Sequence, residues 1–182
     1  MASESNLPYF CICMLNHCTE KERFIFRKIA HAAEALDMKC YVIGGFVRDK
    51  LIGRKTKDVD IVCIGDGITL AHKTAGQFIP SPKVSFFKNY GTAHLRIDGM
   101  DIEFVGARKE SYRYHSRNPE VMPGTLHDDQ NRRDFTINAL AVSLNKEDYG
   151  DLIDPFEGRT DMKNKIIRTP LDPDQTFSDD PL

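Results

Sequence analysis

The chain has 182 residues, of which 41% are hydrophobic and 29% charged, with a formal net charge of −2, a composition that suits one sizeable core and excludes a disordered chain. No apolar run approaches the roughly 20 residues that a bilayer-spanning helix needs, and the near-neutral balance gives no bulk sign of a nucleic-acid binder. Cys11, Cys13, Cys18, Cys40 and Cys63 match neither a disulfide framework nor a zinc spacing, which points to a reducing compartment, so a cytoplasmic location and no membrane partner are expected.

Residues 7–15 are apolar but lack the flanks of a signal peptide. Residues 1–18 are set apart as an N-terminal leader, with Met14 as a candidate native start. Thr19 and Glu22 form a capping box, and Phe26, Ile29, Ala30, Ala33 and Leu36 recur at helical spacing, so a first helix is predicted there. A strand over 40–43 ends in Gly44-Gly45, a short helix follows over 46–51, and Gly53 stops it. Residues 58–64 read as a second strand, with carboxylates on one face and branched apolar residues on the other. A helix is expected over 70–78, ended by Pro80 and Pro82, then strands over 84–87, 93–97 and 102–105, the last two joined by the turn Asp98-Gly99. Residues 108–124 are expected to be a long loop, 127–140 a helix, and 142–144 with 152–153 a small hairpin. The expected fold class is α+β, with the acids on the central sheet.

The chemistry starts at Gly44-Gly45, where a side-chain-free turn lets the backbone come close to a ligand and Arg48, one turn on, is able to fork onto a phosphate. A glycine pair is equally an ordinary turn. Asp58 and Asp60 alternate along a strand and so share a face. Two carboxylates that close repel unless a cation lies between them, and Mg2+ takes oxygen ligands. A third acid from a neighbouring strand, Asp101 or Glu103, would complete a two-metal site that activates a hydroxyl and holds a leaving pyrophosphate. Asp-Val-Asp also fits a solvated strand edge, the DxD of glycosyltransferases, and the nucleophile of haloacid-dehalogenase-type phosphatases. The glycosyltransferase reading gives no reason for the glycine pair, and the phosphatase reading needs its acids on the first strand. Arg132-Arg133-Asp134 suits either a phosphate contact or an ion pair on a helix face. Arg108, Lys109, Tyr112, Arg113, Tyr114, His115 and Arg117 form a basic, aromatic stretch that suits either bases and phosphates or a solvated connection.

Residues 41–49 (YVIGGFVRD), Leu51-Ile52-Gly53 and Asp58-Val59-Asp60 together resemble the head-domain signature of bacterial-type tRNA nucleotidyltransferases and poly(A) polymerases, members of the DNA polymerase beta nucleotidyltransferase superfamily. Residues 132–140 (RRDFTINAL) are similar to a second family motif, associated with the ribose of the incoming nucleotide. Asp154-Pro155-Phe156 with Gly158, Asp161 and Ile167-Arg168 resembles the segment that leads out of the head. Three ordered motifs are far more specific than one. The resemblance implies a mixed, five-stranded-type nucleotidyltransferase sheet with helices mainly on one face. It implies that Asp58 and Asp60 bind two Mg2+ ions and that Glu103 is the third catalytic acid. Gly44, Gly45 and Arg48 are implied to hold the triphosphate, and Arg133, Asp134 and Asn138 to bind the nucleotide.

The implied reaction is transfer of a nucleotidyl group from CTP or ATP to the 3′ end of tRNA. Poly(A) addition to RNA is the alternative, and an inactive nucleotide-binding module a second one. The domains expected are a head over 19–154 and the start of a head–neck connection over 155–182. In the family a helical neck, body and tail follow, with an EDxxR base-selecting motif that has no counterpart among these residues, so the chain is expected to be the head part of a longer protein.

Overall fold

The computed structural model describes residues 13–111 and 120–179. Helix α1 (Glu20–Glu34) starts as its sequence dictates: the Thr19 hydroxyl accepts from the Glu22 amide, and the Glu22 carboxylate accepts from the Thr19 amide at 2.7 Å. Such a cap contributes about 1 kcal/mol. Ile25, Phe26, Ile29, Ala32 and Ala33 are buried along one stripe of α1. The Phe26 ring meets Phe46 edge to face at 5.5 Å, which fastens α1 to α2 (Gly45–Leu51). Lys50 of α2 adds a sequestered ion pair to Glu22 at 2.6 Å.

The remaining elements are β1 (Cys40–Ile43), β2 (Asp58–Cys63), α3 (Gly67–Ala75), β3 (Val84–Phe87), β4 (Thr92–Ile97), β5 (Met100–Gly106), β6 (Arg108–Ser111), β7 (Glu120–Pro123), α4 (Leu126–Asn131), β8 (Ala141–Ser143), β9 (Leu152–Ile153), α5 (Gly158–Asn164) and α6 (Pro173–Asp179). The main sheet runs β3-β4-β5-β2-β1-β8-β9. Only β2 and β5 are parallel; the other pairs are antiparallel. Alternation sorts the side chains by face. Val42, Val59, Ile61, Cys63, Ala93, Leu95, Ile102, Phe104 and Val142 join the large core that includes α1 and α3 residues. Tyr41, Ile43, Val62, Ala107 and Ala141 form a smaller cluster with Leu126 of α4. Helices therefore cover mainly one face, and the acids stand on the other.

The α+β class and the mixed sheet are as the sequence predicts, while four details differ for physical reasons. The sheet has seven strands, because β8, expected with β9 as a small hairpin, pairs with the edge of β1 through Tyr41↔Ser143 and Ile43↔Ala141, and β9 pairs with β8 to become the new edge. The helix expected over 127–140 stops at Asn131: Phe135 is extended (φ −131°, ψ 149°), and the Asp134 carboxylate accepts from the Phe135 amide, a side-chain bond that competes with helix propagation. Helix α3 begins earlier than expected, because Asp66 accepts from the Ile68 and Thr69 amides, and it ends at Ala75. Residues 108–124 supply the hairpin strands β6 and β7; Tyr112, Arg113, Tyr114, His115 and Arg117 lie outside the described residues.

The segment set apart as a leader includes core. Met14, Leu15 and Cys18 are buried, and the Met14 amide donates to the Gly150 carbonyl at 2.9 Å. Burial pushes the Cys18 thiol up to about 11, so it acts as a small apolar side chain rather than a reactive one.

Candidate functional site

Strand β2 places Asp58 and Asp60 on the face away from α1 and α3. Its parallel neighbour sets Asp101 beside Asp58 and Glu103 beside Asp60, so four acids form two rungs across β2 and β5. Strand β4 supplies the balancing groups. His94 pairs with Glu103, Nε2 to Oε1 at 3.7 Å, and Arg96 pairs with Asp101, Nε to Oδ1 at 3.6 Å. Asp58 is exposed and Asp60 half-buried. Burial pushes the Asp60 carboxyl above its ordinary range; Arg133 opposes the shift, and the charges of Asp58 and Asp129 reinforce it.

Beyond Asp60 the sheet continues to β1, whose end carries the glycine turn. Gly44 has φ 81° and ψ −140°, and its amide donates to the Leu140 carbonyl at 2.9 Å. A Cβ at this position would lie 2.9 Å from Arg133 Nη1 and 3.4 Å from Asp60 Oδ2. Absence of a side chain therefore lets the guanidinium and the carboxylate both reach the turn. Arg133 is held from behind. Asp129 on α4 is fully buried and accepts from Arg132 Nε at 3.1 Å and Nη2 at 2.7 Å, and from Arg133 Nη2 at 3.3 Å. Arg133 Nε is itself buried without a hydrogen-bond partner among the described residues. A clamped guanidinium that sets Nη1 beside a glycine turn suits an anionic ligand.

Asn138 joins the two halves of the site. Its amide nitrogen donates to both Asp134 oxygens at 2.9 and 3.2 Å, and its carbonyl accepts from Arg48 Nη1 at 2.6 Å. Arg48 also donates to Asp49 at 2.9 Å. Of the residues singled out by sequence, Gly44, Asp60 and Arg133 thus converge at one point, while Arg48, Asp134 and Asn138 form a hydrogen-bonded chain beside it. Gly45 opens α2 with Arg48 Nη2 3.5 Å from where its Cβ would stand. The third family segment buttresses this arrangement. Thr136 Oγ1 donates to the buried Asp161 at 2.7 Å, Arg168 pairs with Asp161 at 3.1 Å, and a Cβ on Gly158 would lie 2.5 Å from the Thr136 carbonyl oxygen.

Asp129 is the residue that sequence reasoning missed. It sits between His127-Asp128 and the arginine pair as one more acid on a charged helix. The signal was its spacing, three and four residues before Arg132 and Arg133, which puts all three on one side of a helical turn. Asp128 has the ordinary role, capping α4 through Thr125.

Among the described residues no three His, Cys, Asp or Glu side chains gather closely enough to hold a metal alone. Glu103, in register with Asp60, turns its carboxylate toward His94. Two carboxylates suffice for Mg2+, which commonly takes one or two from protein and fills its shell with water and phosphate oxygens. The donor set at Asp58 and Asp60 fits that ion.

Acids on a central strand, next to a glycine turn served by a clamped arginine, define an α+β domain equipped to hold an anion and a cation side by side. The chain belongs to the poly(A) polymerase head-domain family, whose sequence model matches residues 40–168. It is 46% identical over 145 residues to an A-adding tRNA nucleotidyltransferase of Aquifex aeolicus, a match that covers 80% of this chain and 17% of that protein. A solved CCA-adding enzyme in an apo form superposes with a TM-score of 0.82 at 37% identity, over 93% of this chain and 39% of that one. A tRNA nucleotidyltransferase complexed with a primer tRNA and an incoming ATP analog gives a TM-score of 0.71 at 40% identity, over 84% of this chain and 41% of that one. The chain thus spans well under half the length of these relatives. No helix among the described residues is long and apolar enough to cross a membrane.

Proposed function

We propose that this chain is the nucleotidyl-transfer unit of a cytoplasmic enzyme that adds CMP, AMP or both from CTP and ATP to the 3′ end of tRNA. The observation that carries the reading is the convergence of Asp60, Gly44 and the clamped Arg133 at one point. Asp58 and Asp60 are the residues to hold Mg2+, with Glu103 as the third acid. Bound there, the two ions supply Lewis acidity for the attacking 3′ hydroxyl and neutralise the leaving pyrophosphate. Arg133 binds the triphosphate through Nη1, the guanidinium nitrogen that faces the glycine turn, and Gly44 lets the phosphates approach the backbone. Arg48 and Asp134 act through Asn138, fixing its amide at the nucleotide. Relatives that add only A, and others that add the whole CCA, share this domain.

The test is incubation of the full-length enzyme that contains this unit with tRNA lacking its 3′ CCA, Mg2+, and CTP and ATP singly and together, followed by sequencing of the products. Addition of C then A identifies CCA synthesis, and a single A identifies an A-adding enzyme. Long A tracts would shift the reading to poly(A) polymerase, and no incorporation at all would remove it.

Gly44→Ala is the sharpest local probe. Its φ of 81° already disfavours any side chain, and the new methyl would meet Arg133 Nη1. A stability loss of about 1–3 kcal/mol is expected from the strained backbone, seen in a thermal melt. Displacing the arginine is expected to weaken ATP binding roughly tenfold or more, about the effect of one charge-assisted hydrogen bond, measured by calorimetric titration.

A further inference from the structure

We propose that Phe87, with His94 behind it, is the platform on which the penultimate base of the RNA primer stacks; this rests on the nucleotidyl-transfer reading above. The argument begins with the direction of attack. In-line displacement puts the attacking hydroxyl and the leaving pyrophosphate on opposite sides of the transferred phosphorus. The anion-holding groups all lie on one side of the acids: Gly44 ends β1, while Arg133 and Asn138 precede β8. The sheet order β3-β4-β5-β2-β1-β8 leaves the β4–β3 side for the primer.

That side carries groups the reaction has not yet used. Phe87 pairs with Thr92 and Ser85 with His94, so Phe87 stands on the same face as His94 and the acids. Its neighbour Phe86 points the other way, onto His72 of α3. The Phe87 ring meets the His94 ring edge to face at 5.9 Å and 86°, which fixes its plane, yet Phe87 remains 55% exposed. Tyr90 beside it is 75% exposed. Lys88, in the turn that joins β3 to β4, and Arg96 of β4, which also pairs with Asp101, are exposed. Oriented aromatic rings interleaved with cations are what single-stranded nucleic acid uses, because every base has a stacking face and every phosphate a charge. Distance selects the base. Strand β3 lies three strand spacings from β2, about 14 Å, which is beyond the terminal base at the acids and within reach of the one behind it.

The experiment combines kinetics with photochemistry. Phe87→Ala is expected to raise the KM for an RNA hairpin with a single-stranded 3′ overhang about tenfold, the fold-change of one lost base–aromatic stack. KM for the triphosphate stays unchanged, and Phe87→Tyr restores the primer KM. The same hairpin with 5-iodouridine at its penultimate position is expected to crosslink to the peptide that contains Phe87. An unchanged primer KM in Phe87→Ala, or a crosslink that maps elsewhere, overturns the proposal. A lowered melting temperature with unchanged primer KM also overturns it, and assigns Phe87 to packing against His94 within the fold instead. If the unaltered protein incorporates no nucleotide, the functional reading fails separately. The platform is then judged by equilibrium binding of the same hairpin, where no weakening in Phe87→Ala rejects it.

Discussion

Asp58→Asn and Asp60→Asn are each expected to reduce nucleotide incorporation roughly a thousandfold or more, the scale of several kcal/mol of lost transition-state stabilisation at a metal. The measurement is single-turnover extension of tRNA. The two variants differ in what they do to the fold. Burial holds the Asp60 carboxyl above its ordinary range, so the native state keeps a proton at pH values where the unfolded chain has released it. Stability therefore falls as pH rises from the ordinary carboxylate range through the raised value, and stays reduced above it. Asp60→Asn removes that cost, and without metal it is expected to melt at a higher temperature than the parent at neutral pH. A lower melting temperature would show that the attraction of Arg133 outweighs the burial. The expected result is an inactive protein more stable than the active one, the signature of a group kept for chemistry rather than for folding.

Asp129→Ala carries the largest expected structural effect. Its carboxylate is fully buried and accepts three hydrogen bonds from two arginines. Removing one partner of a sequestered ionic cluster strands the other charges, at about 3–5 kcal/mol. For a chain of this size that is a fall in melting temperature of roughly 6–20 °C, readable by circular dichroism. Asp129→Asn keeps the shape and an acceptor and should lose less. Nucleotide binding is expected to weaken in both, because Arg133 is aimed at the glycine turn from Asp129. If ATP affinity survives in a folded Asp129→Asn, the clamp does not position Arg133.

Local signals were legible in the sequence wherever one or two residues decide a conformation. Thr19 with Glu22 marks the start of α1, Asp98-Gly99 takes the positive φ values of a tight turn between β4 and β5, and Asp58-Val59-Asp60 places two acids on one face. The family motifs added which distant residues meet. Competing bonds were harder to read. The stretch after Asn131 has helical spacing, yet the Asp134 side chain takes the Phe135 amide and ends the pattern. The site behind the site was also hidden: Asp129 reads as a solvated acid until the fold buries it, and Met14 to Cys18 reads as a leader until Gly150 accepts the Met14 amide. The misses divide by range: a bond to the next residue ends the helical pattern at Asp134, whereas burial of Asp129 and the pairing of Met14 with Gly150 depend on tertiary structure that local preference does not encode.

The pairing of β1 with β8 has a consequence for the chain as it leaves the ribosome. Strand β1, its four residues all buried in the finished fold, emerges almost a hundred residues before Ala141–Ser143 closes its far edge. Through that interval the growing polypeptide presents an open, apolar strand edge, the kind of surface that templates mispairing between nascent chains. A premature stop before residue 141 would make that condition permanent, leaving both acids and the glycine turn in a product prone to aggregate.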